Sequence, residues 1–317
     1  MNLIHAKTKH LNFLKQEIRY KKIAEQLSDK ILQSKIDNFR KTLINDVCSY
    51  IPNAFWHRKR HIVNLPYVKY FNEKKNHTKA RPIQMNAETV KFFKKEIQDL
   101  LEKKLIRNSK FPRSCDALYV QKNAEIERGT PRLVINYKPL NKVLEWIRYP
   151  IPNKNDLVQR LSDDVIFSKF DMKFGFWQVQ ISEADKYKTA FTTPFGHYEW
   201  NVMPFGLKNA LSEFQNIMND IFNSFSHFTI VYINDVLVYS KSLDEHWKHL
   251  YSFLDTIKRN GLVVSAKKIK LFQTKVCFLG YEFLKDRSVP STEPFNLLIS
   301  FLMSLLIKLT YKDSLGP

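Results

Sequence analysis

Two short stretches of the sequence place acidic or amide side chains at the ends of apolar runs. The stretch "DVIFSKFDM" carries Asp171 near its end, and Asn234 and Asp235 separate the two apolar runs of "VYINDVLVYS". The first pattern predicts a strand, and the second predicts a hairpin with Asn234 and Asp235 in its tight turn. A strand-end carboxylate beside a hairpin-tip carboxylate suits two-metal phosphoryl transfer, because two divalent ions about 4 Å apart need hard anionic ligands. Each stretch alone is more often a strand cap or a solvated turn, so the hypothesis depends on the pair.

The elements that would position these residues are helices and strands in irregular alternation. Apolar residues at helical spacing predict helices from Glu88, around Leu211 and around Leu250, the last of which ends at Asn260 and Gly261. Strands are predicted in "ALYV" and "PRLVINY", in two extended parts of "YKTAFTTPFGHYEWNVMPF", and in "CFLGYEFL". Helices interleaved with antiparallel strands predict the α+β class.

The composition points to a polyanionic partner. The 317 residues include 51 Lys and Arg against 31 Asp and Glu, a formal net charge of +20, and nucleic acid is the commonest partner of such a surface. Scattered surface lysine is the plainer alternative. Three cysteines are odd in number for a disulfide framework and suggest a reducing, intracellular compartment rather than secretion. The apolar run Leu297–Ile307 is too short to span a membrane.

Several motifs in series identify a family. The stretches "FSKFDMKFGFWQVQI", "YKTAFTTPFGHYEWNVMPFGLKNALSEFQ", "VYINDVLVYS" and "FLGYEF" occur in the order and spacing of reverse transcriptases. Their amino-acid sequences most resemble those of the enzymes of plant pararetroviruses, the caulimovirus-like elements, and more distantly those of gypsy-type retrotransposons. The resemblance covers about Thr78 to Leu284. It implies a right-hand polymerase with fingers and palm and a truncated thumb, one region of a retroelement polyprotein that performs RNA- or DNA-templated DNA synthesis.

The resemblance implies the roles of the acidic residues. Asp171 matches the first metal-binding aspartate of the palm, and Asn234 and Asp235 match the aspartate pair of the Tyr-x-Asp-Asp motif. The implied cofactors are two Mg²⁺ ions, with Mn²⁺ as a possible substitute. The implied partners are an RNA or DNA template-primer and deoxynucleoside triphosphates, with no membrane; the oligomeric state is left open.

Further residues match positions around the nucleotide and the primer. Arg132 matches a fingers arginine that contacts the incoming triphosphate, a role that suits an always-charged fork. Phe176 matches the aromatic gate beneath the sugar, which would exclude a ribose 2′-hydroxyl. Phe205 and Gly206 match residues beside the nucleotide. The matches to the hairpin that grips the primer are Leu279, Gly280 and Tyr281, and nearby lysines that could contact duplex phosphates or simply be solvated are Lys267, Lys268, Lys270 and Lys275.

The resemblance also suggests a domain division. We expect a helical and extended N-terminal linker at 1–77, fingers at 78–165 and again at 182–204, palm at 166–181 and 205–285, and a truncated tail at 286–317. Some codon choices for Pro294–Ser304, read in another frame, encode a sequence that resembles the family's continuation. Our hypothesis is a frameshifted, endogenous copy carried in a plant genome.

Four positions depart from the family. Asn234 replaces an aspartate that ligates both metals. Its amide is nearly isosteric with a carboxylate but carries no charge, so we expect the protein to fold while catalysis is lost. Losing about 4 to 7 kcal/mol of transition-state stabilisation would cost roughly 10³ to 10⁵ in rate. Phe174 replaces a small polar residue, Leu211 a proline and Arg113 an aromatic residue.

Three functions stay open at this point. The first is a reverse transcriptase fragment silenced by Asn234, which we favour. The second is an active polymerase that uses Asp171 and Asp235, and the third is a noncatalytic basic nucleic-acid-binding remnant. A metal site at His246 and His249 is also conceivable, but no acid or cysteine completes a ligand set, so we interpret them as a helix face beside Trp247.

Overall fold

The computed structural model describes residues 14, 17–48, 61–73, 80, 87–120, 132–161, 164–284 and 287–290. Its contacts divide the chain into two units. The first unit comprises Met1–Tyr50, Pro150–Lys173 and Met218–Pro317, and the second comprises Ile51–Tyr149 and Phe174–Ile217.

The described elements are helices, strands and short 3-10 turns. Residues 17–27 are helical, and the further α-helices are α1 (Lys30–Val47), α2 (Ala87–Glu102), α3 (Lys138–Val143), α4 (Lys154–Gln159), α5 (Ala210–Phe222) and α6 (Leu243–Arg259). The strands are β1 (Ile62–Val63), β2 (Ile106–Asn108), β3 (Cys115–Val120), β4 (Arg132–Ile135), β5 (Ile166–Asp171), β6 (Gln180–Ile181), β7 (Phe191–Thr193), β8 (Gly196–Trp200), β9 (Thr229–Tyr232), β10 (Asp235–Ser240), β11 (Lys270–Gln273), β12 (Val276–Phe278), β13 (Tyr281–Leu284) and β14 (Arg287–Pro290).

The first unit is built on an antiparallel sheet in the order β11-β5-β10-β9. Helix α6 covers one face, where Phe253 stacks on Phe170 of β5 with ring centroids 4.2 Å apart. Ser242 caps the start of α6 by accepting from the Glu245 amide at 3.3 Å. Gly261 follows its end with φ +56, the left-handed conformation that favours glycine. The predicted end of this helix is confirmed.

A second, smaller sheet of the first unit has the order β12-β13-β14. Its first pair, β12 and β13, is antiparallel, with Phe278 opposite Tyr281, and it corresponds to the strand pair predicted from "CFLGYEFL".

The second unit contains a five-stranded sheet in the order β2-β8-β7-β3-β4. Strands β3 and β4, predicted from "ALYV" and "PRLVINY", pair antiparallel, with Ala117 opposite Ile135. Helix α2, predicted from Glu88, buries Phe93, Ile97 and Leu100 at its helical spacing. A separate parallel pair joins β1 to β6.

The predicted α+β class is confirmed, since helices and mainly antiparallel strands occur in both units. The names fingers and palm, with their predicted boundaries, stay predictions. The apolar run Leu297–Ile307 and the proposed frameshifted tail lie mostly or wholly outside the described residues, as does most of the linker before residue 17. No helix in the described ranges is long and apolar enough to cross a membrane. Cys48, Cys115 and Cys277 are free thiols.

Candidate active site

The hairpin tip differs by one residue from the prediction. Strands β9 and β10 are joined by Ile233 and Asn234, so Asp235 is the first residue of β10 and pairs with Tyr232. The prediction of a turn at Asn234 and Asp235 was wrong because Ile233 adopts φ +54. A β-branched residue in that region costs on the order of 1–3 kcal/mol, and turn rules based on residue type do not assign it there.

The two carboxylates lie directly opposite each other. Asp235 of β10 pairs with Asp171 of β5 in the antiparallel ladder, which places both side chains on one face of the sheet. Each residue is 8% exposed. The Asn234 carbonyl accepts a hydrogen bond from the Met172 amide at 2.8 Å and so ties the turn to the end of β5. Two like charges facing each other destabilise a strand pair, so this position calls for cations.

Two lysines supply positive charge at this position. Lys268 Nζ donates to Asp171 Oδ2 at 2.8 Å, and Lys169 Nζ lies 3.5 Å from Asp235 Oδ1. Burial raises the pKa of Asp235, Lys169 opposes this shift, and the neighbouring Asp171 adds to it. The sequence left Lys268 open between a contact with duplex phosphates and a solvated position, and neither alternative included Asp171. Lys169 was not predicted, although its position two residues before Asp171 puts it on the same strand face.

Asn234 brings an unpaired oxygen to the hairpin tip. Its Oδ1 is buried and has no hydrogen-bond partner in the described part of the chain, and Asp235 Oδ1 has the lysine at 3.5 Å but no hydrogen bond. Two carboxylates and an amide oxygen are hard ligands that fit one divalent cation. Across the described ranges, no three His, Cys, Asp or Glu side chains cluster as metal ligands.

A buried polar network lies on the other face of the sheet. His246 of α6 is fully buried, with Nε2 2.8 Å from Ser168 Oγ of β5 and Nδ1 2.8 Å from Ser240 Oγ of β10. Ser168 Oγ also accepts from the Phe272 amide at 3.1 Å. The interpretation of His246 as part of a helix face beside Trp247 was therefore incomplete. Its ring links α6 to the two strands that carry Asp171 and Asp235.

We predict that acid destabilises the fold through His246. Burial, followed by the nearby His249, lowers the pKa of His246 to about 3, so the unfolded chain takes up this proton first as the pH falls. Stability is complete above pH 6.5 and declines towards pH 3, and this group alone should remove about 2 kcal/mol between pH 6.5 and 5.

Urea unfolding at several pH values measures this effect. His246→Gln should remove most of the pH dependence, whereas replacement of the exposed His227 by Gln should leave it in place. An unchanged pH slope in His246→Gln would contradict the assignment.

The second unit holds the residues matched to the nucleotide site. Phe176 is buried and makes edge contacts with Phe205 and Phe214, at centroid distances of 5.2 and 5.4 Å. Gly206 has φ +93, and an added Cβ would lie 3.6 Å from the Tyr137 ring, so glycine suits this backbone conformation. The structure thus brings Phe176 and Phe205 together.

The remaining matched residues are placed by their backbones. Arg132 begins β4 opposite Val120, and its side chain lies outside the described part. Leu279 and Gly280 turn from β12 to β13 with φ of +56 and +84. Tyr281 begins β13, and its side chain too is outside the described part.

Two of the three other departures from the family pattern lie in irregular backbone or in the core. Phe174 has φ +50, is half exposed and stacks on Trp177 at 4.9 Å. Leu211 is buried near the start of α5.

Comparisons with a family model and with known sequences agree on one family. A family model described as reverse transcriptase (RNA-dependent DNA polymerase) matches residues 120–283. The genome polyprotein of Petunia vein clearing virus (isolate Shepherd) is 43% identical over 246 residues, which cover 78% of this chain and 11% of the viral protein. The enzymatic polyprotein of Cauliflower mosaic virus (strain Strasbourg) is 42% identical over 204 residues, 64% of this chain and 30% of that protein. The chain thus spans a tenth to a third of these relatives.

Comparison with solved structures shows the fold. The foamy viral protease-reverse transcriptase in complex with an RNA/DNA hybrid has a TM-score of 0.67 and 20% identity, covering 86% of this chain and 39% of that one. A prototype foamy virus protease-reverse transcriptase mutant also has a TM-score of 0.67, with 21% identity and coverage of 87% and 36%. With the motif series, the opposed carboxylates and the family match in agreement, this chain belongs to the reverse transcriptase family.

Proposed function

We propose that this chain is a reverse transcriptase region that binds a primed template but extends the primer at a rate lowered by about 10³ to 10⁵. The observation that carries the proposal is the hairpin tip, where Asp171 faces Asp235 and an amide stands at the preceding position. The two opposed carboxylates support a catalytic centre at this position, and the proposed defect is the negative charge that Asn234 lacks.

The proposed chemistry is nucleotidyl transfer from a deoxynucleoside triphosphate to a primer 3′-hydroxyl. Two Mg²⁺ ions, or Mn²⁺ in their place, would supply Lewis acidity at the attacking and leaving oxygens. Asp171 and Asp235 would hold the cations through carboxylate oxygens, and Lys169 would keep Asp235 ionised against the burial that raises its pKa. Asn234 offers only a neutral oxygen, which cannot bridge two cations as a carboxylate does.

The proposed nucleotide site uses the second unit. Phe176 packs edge-on against Phe205 and Phe214, and this packing supports the proposed role of its ring in rejecting a ribose 2′-hydroxyl. Arg132 would contact the triphosphate, because its planar guanidinium can donate two parallel hydrogen bonds to phosphate oxygens.

The proposed nucleic-acid contacts lie in the first unit. Leu279, Gly280 and Tyr281 form the proposed primer grip, and the nearby Lys267 and Lys270 are exposed. The net charge of +20 supports binding to a polyanion. The foamy viral relative in complex with an RNA/DNA hybrid supports this choice of partner.

Binding and extension of a primed RNA template test this proposal together. We expect the logarithm of the affinity to fall linearly with the logarithm of the salt concentration, because each lysine contact releases counterions. We expect extension in Mg²⁺ or Mn²⁺ to be about 10³-fold or more below that of the Asn234→Asp variant. Lack of binding at low salt would refute the nucleic-acid function, and extension comparable with the variant would show that Asp171 and Asp235 suffice.

A further inference from the structure

A pocket of about 230 Å³ lies within the second unit, apart from the residues assigned to nucleotide or primer. Its walls come from four segments: the chain after β1, the chain before β3, helix α3 and the turn before β7. The lining residues are Tyr67, Phe71, Phe111, Arg113, Ser114, Cys115, Pro139, Leu140, Lys142, Val143, Lys188 and Ala190. The lining combines aromatic rings with cations and contains no acidic side chain.

Two of the three cations in the pocket form no ion pair with any described residue. Lys188 is neutralised by Asp185 at 2.6 Å and also donates to the Leu65 carbonyl at 2.7 Å. Arg113 Nη2 is buried without a hydrogen-bond partner in the described part of the chain. Within the same described ranges, no ion pair involves Arg113 or the exposed Lys142. Burial raises the pKa of Cys115 to about 12, so the thiol stays neutral and does not balance this charge.

An unbalanced, partly buried guanidinium favours an anionic ligand. Leaving a buried charged donor without an acceptor costs more than leaving a neutral one, and stacking offsets only part of this cost. The Arg113 guanidinium lies over the Phe71 ring, 5.5 Å from its centroid, which orients its plane. A phosphate group would supply the missing acceptors, because arginine and phosphate form parallel charge-assisted hydrogen bonds.

The aromatic walls of the pocket favour a ligand that also has a flat, apolar group. Phe111 is fixed against Tyr187 at a centroid distance of 4.4 Å, and Tyr67 is fixed by its hydroxyl donating to Glu73 at 2.9 Å. Rings held in this way are platforms on which a nucleobase can stack. The small volume allows one base with its phosphate.

We propose that this pocket is a second nucleotide subsite, in which the phosphate of one nucleotide pairs with Arg113 and Lys142 while its base contacts Tyr67 and Phe111. Arg113 is also a position at which this chain departs from its family, which has an aromatic residue there. The guanidinium is therefore a feature of this chain's pocket rather than of the family pattern. The ligand is either a free nucleotide or one nucleotide of a single strand. The single-strand form rests on the proposed nucleic-acid function, whereas the free nucleotide form does not.

Calorimetric titration of the whole chain with adenosine 5′-monophosphate, and fluorescence titration with a short labelled oligothymidylate, test the subsite. Arg113→Gln and Lys142→Gln should each weaken binding of at least one probe by about tenfold or more. Lys110→Gln is the matched control, because it removes one positive charge from an exposed residue outside the lining and should change affinity by less than about twofold.

The pattern of losses decides the proposal and the source of the ligand. Loss with adenosine monophosphate identifies a free nucleotide site, and loss only with the oligonucleotide identifies a single-strand site. Equal losses in all three variants, or no binding of either probe, overturn the subsite. If Arg113→Gln unfolds on thermal melting, the exposed Lys142→Gln decides alone. Binding of primed template measured in parallel separates this outcome from the proposed function: if it persists while neither probe depends on Arg113 or Lys142, only the subsite fails.

Discussion

Replacing Asn234 by Asp is expected to raise the rate of primer extension by about 10³- to 10⁵-fold. The substitution exchanges an amide for a carboxylate of nearly the same shape, at a turn whose backbone carbonyl is held by the Met172 amide. The added charge would give three carboxylates with Asp171 and Asp235, which offset more of the positive charge of two cations than two carboxylates do. Single-turnover extension of a primed RNA template in Mg²⁺ and in Mn²⁺ measures the gain.

Two further variants make the result specific to the hairpin tip. Asn38→Asp makes the same chemical change on an exposed position of α1 and should leave extension at the level of the unmodified chain. Adding Asp235→Asn to Asn234→Asp should cancel the gain, because it again removes one carboxylate. If Asn234→Asp binds the primed template but gains no extension, the amide is not the cause of inactivity.

Replacing Phe253 by Ala is expected to lower the free energy of unfolding of the first unit by about 3–5 kcal/mol. Phe253 is 1% exposed and packs between Phe170 of β5, at 4.2 Å, and Phe222 of α5, at 5.7 Å between ring centroids. Its removal opens a cavity directly beside the strand that ends in Asp171, and the neighbouring rings can fill it only in part.

Urea unfolding followed by circular dichroism measures the loss. Lys248→Ala on the exposed side of the same helix is the control and should change the unfolding free energy by less than about 0.5 kcal/mol. A loss below about 1 kcal/mol in Phe253→Ala would mean that α6 is not the support of this sheet.

Regular elements of this fold follow from local patterns in the sequence. Apolar residues at helical spacing predicted α2 and α6, and short apolar runs bounded by polar segments predicted strands β3, β4 and β5. The register at the hairpin tip did not follow, because Ile233 accepts a left-handed conformation that local preferences assign to Asn or Gly. The backbone conformation of Ile233 is set by the surrounding structure, because six residue pairs fix the register of β10 against β5.

The parts of the candidate site that lie in sequence motifs were predictable. The parts that depend on contacts between residues far apart in the sequence were not. Asp171 and Asp235 could be placed together from their motifs, and the structure pairs them. The contact of Lys268 with Asp171 joins residues 97 positions apart, and no local pattern reveals it. His246 was interpreted only as part of a helix face beside Trp247, because its partners, Ser168 and Ser240, lie in two different strands. A serine inside an apolar strand was the available signal, since a buried hydroxyl requires a partner.

Counting bound Mn²⁺ by electron paramagnetic resonance, with primed template and a nonhydrolysable nucleotide present, tests most directly the claim that Asn234 silences this site. We expect two bound ions per chain for Asn234→Asp, and for the unmodified chain no more than one bound with comparable affinity, because Asp171 and Asp235 offset less of the charge of two cations than three carboxylates do. Two ions bound equally tightly by the unmodified chain would contradict this claim.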